Sequence, residues 1–328
     1  MTELLAVSDL RVVYRTERGP VQALDGVSLA IAPGEVVGLV GESGCGKSTL
    51  ARAVLGVLPQ PAAAVTGGSI AFAGRSLLGL SAATLSRDLR GRHITLVPQD
   101  PFASLNPLFT VGHQMLDLMK WKSPLAPAAR RRAVLDMLRE VQIPEPEQVL
   151  GKLPHELSGG QRQRILIAMA LLPAPELIIA DEPTTALDVT VQAQILRLLL
   201  REVKQRGVSV LFTTHDLGTA WEICDRIVVM YAGQEVETAP KDAFFAAPRH
   251  PYTARLLDSL PRADGALRDI PGEIPSLLKP PSGCRFHPRC AAATAECAAT
   301  RPPATGDAHR VRCWHPLAAP ADTGAMRA

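Results

Sequence analysis

One stretch limits what this chain can fold into more than any other: GESGCGKST, Gly41 to Thr49. It follows the apolar run VVGLVG, Val36 to Gly41, and opens the helical pattern KSTLARAVLGVL, which Pro59 stops. A short run rich in β-branched residues suits a buried strand. A strand that turns through glycines directly into a helix, with the pattern G-x-x-x-x-G-K-[ST], is the setting in which a loop cradles phosphate. Gly41, Gly44 and Gly46 let backbone N–H groups turn toward an anion, and the helix N-terminus adds favourable partial charge. Lys47 is placed to reach the β- and γ-phosphates, and the Ser48 hydroxyl to ligate Mg²⁺. Cys45 lies inside the loop, where the helix N-terminus should favour its thiolate and where alkylation should block binding by occlusion. The consequence for the fold is an α/β architecture.

The rest of the chain continues in that style. From Glu176 the order is a strand (LIIAD), a helix from Thr190 to Arg206 closed by Gly207, a strand (VSVLFTT), a helix from Leu217 to Cys224, and a strand (RIVVMYAG). Such alternation implies a largely parallel sheet with helices on its faces. Upstream, LLAVSDLRVVY and ALDGVSLAIAPGE read as strands, Thr66 to Leu78 as a strand pair, and HITLVPQDP as a strand ending in a polar turn. Pro127 can begin a helix in which Val134, Met137, Leu138 and Val141 recur at helical spacing, with Arg130, Arg131 and Arg132 on the solvated side.

Further polar residues stand at strand ends. LIIADEP closes with two carboxylates: Asp181 would hold the Mg²⁺ shell and Glu182 would polarise an attacking water. Gln99 ends a strand between Pro98 and Asp100, where an amide can orient water or complete the metal shell. His215 follows VSVLFTT, where an imidazole can hydrogen-bond a phosphate oxygen. Neither is informative alone; their weight comes from their neighbours. LSGGQ, Leu157 to Gln161, places Ser158 as a candidate N-cap and two glycines before the helix QRQRILIAMALL. This is either a well-capped helix or a second grip on an anion, and one nucleotide needs only one grip.

The phosphate loop, Gln99, LSGGQ, the DE pair, the TTALD run (Thr184 to Asp188) and His215 follow the order found in ATP-binding cassette (ABC) transporter nucleotide-binding subunits, which residues 5 to 240 or so resemble. The resemblance implies a P-loop NTPase (RecA-like) α/β core, an antiparallel β subdomain, and a helical subdomain carrying LSGGQ, at about residues 100–172. It implies ATP contacts from Gly41, Ser43, Gly44, Cys45, Gly46, Lys47, Ser48, Thr49, Gln99 and His215, with Tyr14 stacked on adenine. Ser48, Gln99 and Asp181 would serve Mg²⁺, and Glu182, Gln99 and His215 catalysis. Two subunits would meet head to tail, so Ser158, Gly159, Gly160 and Gln161 contact nucleotide in trans. FTTHDL, ICDRIVVMYAGQEVE, HPYTARLLDSLPR, IPGEIPSLLKPPSGCRFHPRC and QDPFASLNP narrow the resemblance to the ATP-binding subunits of bacterial dipeptide/oligopeptide permeases. Importers of nickel and related solutes share much of it. The implied partners are a homologous ATP-binding subunit (heterodimer favoured, homodimer possible), two transmembrane permease subunits and an extracytoplasmic solute-binding protein.

Of six cysteines, Cys45 and Cys224 lie in the cassette, while Cys284, Cys290, Cys297 and Cys313 follow the spacing C-x5-C-x6-C-x15-C. A C-x2-C knuckle is missing, so the usual zinc-finger signature is absent. Four thiolates suffice for a [4Fe–4S] cluster, for zinc, or they stay free thiols. The resemblance favours the cluster, which some dipeptide-permease ATPases bind here. Arg285, Arg289 and Arg312 adjoin these cysteines and could offset ligand charge, with His287 and His315 nearby in structural roles. We therefore divide the chain into a cassette (1–240), a proline-rich connector (241–283), a four-cysteine module (284–316) and a disordered tail (317–328).

Composition excludes some partners. A net charge of +3 is too small to argue for nucleic acid, and 4% aromatic residues speak against a base-stacking surface. A soluble ABC ATPase acting on DNA or ribosomes is the alternative of another class, but the long coiled coil or second cassette of those families is missing. A redox-sensing binding protein would leave the hydrolytic set unexplained. The start, MTELLAVSDLRVVY, is acidic where a signal peptide is basic, and the longest apolar run, Ile165 to Leu172, is too short to span a bilayer. The expectation is a peripheral protein at the cytoplasmic face of the inner membrane, held there by permease subunits.

Overall fold

The computed structural model describes residues 3–122, 125–184, 189–260 and 269–318. Its strands are β1 (Leu5–Thr16), β2 (Gly19–Ile31), β3 (Val36–Val40), β4 (Ala63–Phe72), β5 (Arg75–Ser76), β6 (Ile94–Val97), β7 (Leu177–Asp181), β8 (Ser209–Thr214), β9 (Arg226–Tyr231), β10 (Gln234–Pro240), β11 (Ala304–Thr305) and β12 (Arg310–Arg312). The chain forms two compact units. The first takes residues up to Leu4, Ile31–Val36 and Ala73–Thr213; the second takes Leu5–Ala30, Val37–Phe72 and Thr214 onward.

In the first unit β6, β7 and β8 run parallel, with Val97 opposite Ala180 and Asp181 opposite Thr213. Leu177 to Ala180 are fully buried, which is why this strand reads as a continuous apolar run. The register carries Asp181 to the strand's end beside a hydroxyl. The helix over Pro127–Glu140 starts on proline in its first turn and buries Val134, Met137 and Leu138 of the expected stripe, with Leu135 beside them, while Val141, also buried, is its C-cap. At about 1.5–3 kcal/mol for each large apolar side chain removed from water, that stripe fixes the helix far more firmly than its propensity does. Further helices cover Val111–Lys122, Gly159–Leu171 and Val189–Arg206.

In the second unit β1 pairs antiparallel with β4, from Leu5 opposite Phe72 to Tyr14 opposite Ala63. A second sheet has β3 parallel to β9, from Val37 opposite Arg226 to Val40 opposite Val229. The expectation of parallel strands holds for this pair and for β6 to β8; past β9, where the sequence pattern made no claim, the pairing turns antiparallel. Ala232 and Gly233 both take positive φ (48° and 82°), the geometry of a tight hairpin turn, so the chain folds straight back as β10. β12 then joins β10 antiparallel, with Val311 opposite Glu237, and β11 joins β12. The cysteine-rich end of the chain is thereby built into this unit's sheet.

The stretch read as a connector also contains helices, Lys241–Ala246 and Pro251–Asp258. Its prolines mark helix starts: Pro240 is the cap of the first and Pro251 sits in the first turn of the second, where a missing N–H costs nothing. Among the described residues no helix is long and apolar enough to cross a membrane. The expected tail falls almost wholly outside the described residues.

Two buried carboxylates fasten this C-terminal arrangement. Glu237 accepts the Arg249 N–H at 2.7 Å, the His250 N–H at 2.8 Å and the His309 Nε2–H at 2.6 Å. Glu235 accepts the Ser28 N–H and the Arg312 guanidinium at 3.0 Å, while burial raises its pKa. Glu237→Ala leaves three donors without their acceptor. We expect it to cost about 2–4 kcal/mol, seen as a lowered Tm, with limited proteolysis releasing the residues beyond Pro240 first. An unchanged Tm and digestion pattern would remove Glu237 from this role.

Candidate phosphate site and four-cysteine pocket

The phosphate loop belongs to the second unit. It leaves β3 at Gly41 (φ 150°) and enters the helix Lys47–Leu55 through Gly46 (φ 110°). A Cβ at Gly46 would stand 2.7 Å from the Ala23 carbonyl oxygen, so both conformation and space require glycine there. The buried Lys47 ammonium donates to the Gly41 carbonyl at 2.7 Å and to the Glu42 carbonyl at 3.3 Å. Ser43 and Gly44 are exposed at the tip, and Ser48 and Thr49 are half-buried in the first helical turn. Amides at the start of a helix, with a lysine lying back over the loop, make an anion seat.

Cys45 corrects the expectation made for it. Its side chain is buried, and burial raises its pKa despite Lys47 and the backbone N–H groups, which act the other way. Desolvation outweighs the helix N-terminus, so the thiol is the stable form and an unreactive one. Tyr14 is half-buried on β1, and His215 is exposed just before Asp216, which caps the helix Leu217–Ile223 through the Gly218 and Thr219 N–H groups.

The first unit brings the acidic pair and Gln99 together. The Gln99 Nε2 donates to Glu182 Oε2 at 3.2 Å. Glu182 takes positive φ (46°), an uncommon conformation for a residue with a Cβ. Its N–H is held by the Thr213 carbonyl and Oγ1, both at 3.1 Å. Thr213 Oγ1 donates in turn to Asp181 Oδ1 at 2.6 Å. Thr213 thus holds the Asp181 carboxylate and the Glu182 backbone, a role sequence reasoning missed, although it stands in the quoted run FTTHDL. Strain held in place by neighbouring hydrogen bonds is common where a side chain must be aimed.

LSGGQ is also in this unit. Ser158 Oγ accepts the Gln161 N–H at 3.3 Å while Gln161 Oε1 accepts the Ser158 N–H at 3.0 Å, a reciprocal capping box. Ser158 is exposed, and Gly159 and Gly160 are half-buried at the helix start. Both earlier readings of LSGGQ are therefore compatible with the geometry: the helix is well capped, and its N-terminus is open. Of the TTALD run, residues 185–188 lie outside the described residues.

Cys284, Cys290, Cys297 and Cys313 line one small pocket in the second unit, with His250, Phe286, His287, Trp314 and His315. Among the described residues no group of three or more His, Cys, Asp or Glu side chains is gathered closely enough to hold a metal ion. Four thiols on one small lining are a first sign that bears on a thiolate-bound group. Burial first, and then the nearness of the other three cysteines, pushes the Cys313 thiol up to about 11; burial raises Cys284 and Cys290 as well. A metal would take these groups only as thiolates, with release of their protons. His250 adds a second sign. Its Nδ1 accepts the Tyr252 N–H at 3.0 Å, which leaves the proton on Nε2, and the buried Nε2 has no hydrogen-bond partner. Burial holds this imidazole neutral, its pKa lowered to about 3. Buried donors are rarely orphaned, and this one belongs to a residue lining the thiol pocket. His287 Nδ1 meets the Cys284 carbonyl and His315 Nε2 the Thr294 hydroxyl, each at 2.9 Å, in line with structural roles.

The arginines expected to offset ligand charge are engaged elsewhere. Arg285 pairs with Asp25 at 2.8 Å, Arg289 with Glu42 at 2.8 Å and Arg312 with Glu235 at 3.0 Å. Neighbouring positions in the chain point side chains in different directions, and each guanidinium found a carboxylate partner in the rest of the unit.

Comparison with known proteins fits this geometry. The ABC transporter family pattern matches residues 24–185, and the oligopeptide/dipeptide transporter C-terminal region matches residues 236–297. The chain is 46% identical over 317 residues to the probable peptide ABC transporter ATP-binding protein y4tR of Sinorhizobium fredii, covering 95% of this chain and 94% of that protein. It is 45% identical over 319 residues to the dipeptide transport ATP-binding protein DppD of Bacillus subtilis, covering 96% and 95%. Among solved structures, the ATP-binding cassette MJ0796, a dimer in a post-hydrolysis state bound to ADP and Pi, matches with TM-score 0.64 and 28% identity over 72% of this chain and 98% of that one. The chain belongs to the ABC transporter family, as an ATPase subunit of the branch that carries the oligopeptide/dipeptide transporter C-terminal region.

Proposed function

We propose that this chain is the ATP-hydrolysing motor of an importer for dipeptides or oligopeptides, peripheral to the cytoplasmic face of the inner membrane. The observation that carries the hydrolytic part is the Gln99–Glu182–Thr213–Asp181 hydrogen-bonded set. Glu182, held at its amide and its carboxylate, acts as the base toward water. Asp181, Ser48 and Gln99 hold Mg²⁺, which neutralises phosphate charge when bound. Lys47 and the loop from Gly41 to Thr49 grip the phosphates, His215 meets the γ-phosphate, and Tyr14 stacks on adenine. Ser158, Gly159, Gly160 and Gln161 face the nucleotide of a partner ATPase, favoured as a related second subunit. ATP binding then favours the closed pair over the open one, and the difference in affinity drives the membrane subunits. The peptide class rests on the C-terminal region at 236–297 and on the relatives' names.

Exposed apolar side chains support a permease partner. Phe102 is 53%, Leu108 82% and Phe109 44% exposed. Gln114 holds this loop in shape, donating to the Asn106 and Phe109 carbonyls at 3.0 and 2.9 Å. Exposed apolar side chains, two of them on a loop held in this way, suit a protein contact.

In the C-terminal module we propose that Cys284, Cys290, Cys297 and Cys313 hold a [4Fe–4S] cluster, with zinc the other group such thiolates take. When bound, the cluster supplies a four-point cross-link and an electron-accepting centre. The His250 Nε2–H is the donor available to it.

Glu182→Gln is expected to keep ATP binding but lower phosphate release by about 10²-fold or more, accumulating a closed dimer on gel filtration. Ser158→Arg is expected to stop hydrolysis at the partner's loop while this chain still binds ATP; unimpaired turnover in the assembled complex would defeat the trans arrangement. With the permease and solute-binding protein reconstituted in vesicles, dipeptides should stimulate turnover. Stimulation by nickel instead would keep the importer and discard the peptide. Anaerobically purified protein should contain about four iron and four acid-labile sulfide per chain, lost in Cys290→Ser; stoichiometric zinc without sulfide would overturn the cluster.

A further inference from the structure

Glu42 stands in the phosphate loop between Gly41 and Ser43, and two residues from far along the chain hold it. Its N–H donates to the Tyr252 hydroxyl at 3.0 Å. Its carboxylate takes both ends of the Arg289 guanidinium, at 2.8 and 3.2 Å. Bidentate pairs of this kind fix orientation as well as charge.

Both holders are themselves fixed. Arg289 donates from Nε to the Pro271 carbonyl at 2.9 Å, and from the guanidinium to the Ile270 carbonyl at 3.0 Å and the Tyr231 hydroxyl at 3.3 Å. Its side chain is 4% exposed. Tyr252 is fully buried, its ring 4.6 Å from that of Tyr231 and 5.3 Å from that of Phe286. This is more fastening than a surface ion pair has, and it converges on one residue of the anion seat.

A carboxylate on a loop that receives phosphates repels them unless it is neutralised and turned aside. The loop's amides must also keep one orientation if they are to meet the phosphates without reorganisation. We propose that Arg289 and Tyr252 are positioning residues for ATP binding: Arg289 neutralises the Glu42 carboxylate and draws it off the phosphate path, and Tyr252 fixes the Glu42 peptide so that the loop keeps its open shape. They act through Glu42 without touching nucleotide. The inference rests on reading Gly41 to Thr49 as the ATP phosphate loop.

The test uses the full chain in the assembled transporter, with KM for ATP and kcat measured separately. Arg289→Ala should raise KM about tenfold or more while kcat at saturating ATP changes less than about threefold, the signature of lost binding alone. Tyr252→Phe, which removes only the hydroxyl, should raise KM by about threefold with an unchanged Tm. Glu42→Gln combined with Arg289→Ala should bring KM back toward wild type, because the unpaired charge is gone. A double variant as poor as Arg289→Ala, or wild-type KM in both single variants, would overturn the proposal. Should Arg289→Ala not fold, Arg289→Lys keeps the charge and loses the fork; it should raise KM less than Tyr252→Phe and the unpaired charge together, and a wild-type KM in both Arg289→Lys and Tyr252→Phe would be as damaging. Lys47→Ala separates the two readings. Normal ATP binding in Lys47→Ala removes the phosphate-loop assignment itself, whereas lost binding there beside wild-type KM in the other variants removes only the role of Arg289 and Tyr252.

Discussion

The N–H groups that a loop offers to phosphate cannot also be satisfied within it, so the loop's shape needs other ties. In this protein the carbonyls are tied down instead. Lys47 holds those of Gly41 and Glu42, and the Gly233 N–H holds that of Cys45 at 2.9 Å. Gly233 lies in the tight turn between β9 and β10, and its own carbonyl accepts the Asp25 N–H at 2.8 Å. The hairpin therefore does more than reverse the chain. It braces the anion seat and begins the antiparallel extension that carries the C-terminal residues.

The same rule shapes the acidic pair in the first unit. A left-handed Glu182 is unfavourable in isolation, and two hydrogen bonds from its N–H to Thr213 hold it there. Where a backbone is bent away from its preference, the compensation sits on a neighbouring strand. Parallel register, set by the burial of Leu177 to Ala180, is what delivers Thr213 to that place.

What was legible in the sequence was local. The loop-to-helix turn, the Ser158 cap, the apolar strand ending in Asp181 and the buried stripe of Pro127–Glu140 each depend on residues a few positions apart. The errors came where distant groups decide. Cys45 sits at a helix N-terminus, which favours a thiolate, but the core closing over it favours the thiol more. Arg285, Arg289 and Arg312 adjoin the cysteines in the chain, yet their partners are Asp25, Glu42 and Glu235, between 77 and 260 residues away. His250 and Tyr252 stood in a stretch that resemblance marked as typical of a subfamily, and nothing within HPYTARLL says that one residue ends at the thiols and the other at Glu42. β10, β11 and β12 went unread because short antiparallel strands without a strong turn signal carry little periodicity.

The pairing of β12 with β10 bears on how such a protein can be handled. The family's cassette is a natural unit to excise, with a stop after Pro240. Cutting there strips β12 from β10 and bares a row of backbone N–H and C=O groups along a strand whose residues from Gln234 to Ala239 are buried. It also strands Glu235 and Glu237 in the interior without Arg312, His309 and the Arg249 and His250 amides. An open strand margin recruits other chains. The shortened polypeptide is thus driven toward aggregation by the very edge that the cysteine-bearing segment covers, which gives that segment a solubilising duty independent of anything its thiols bind.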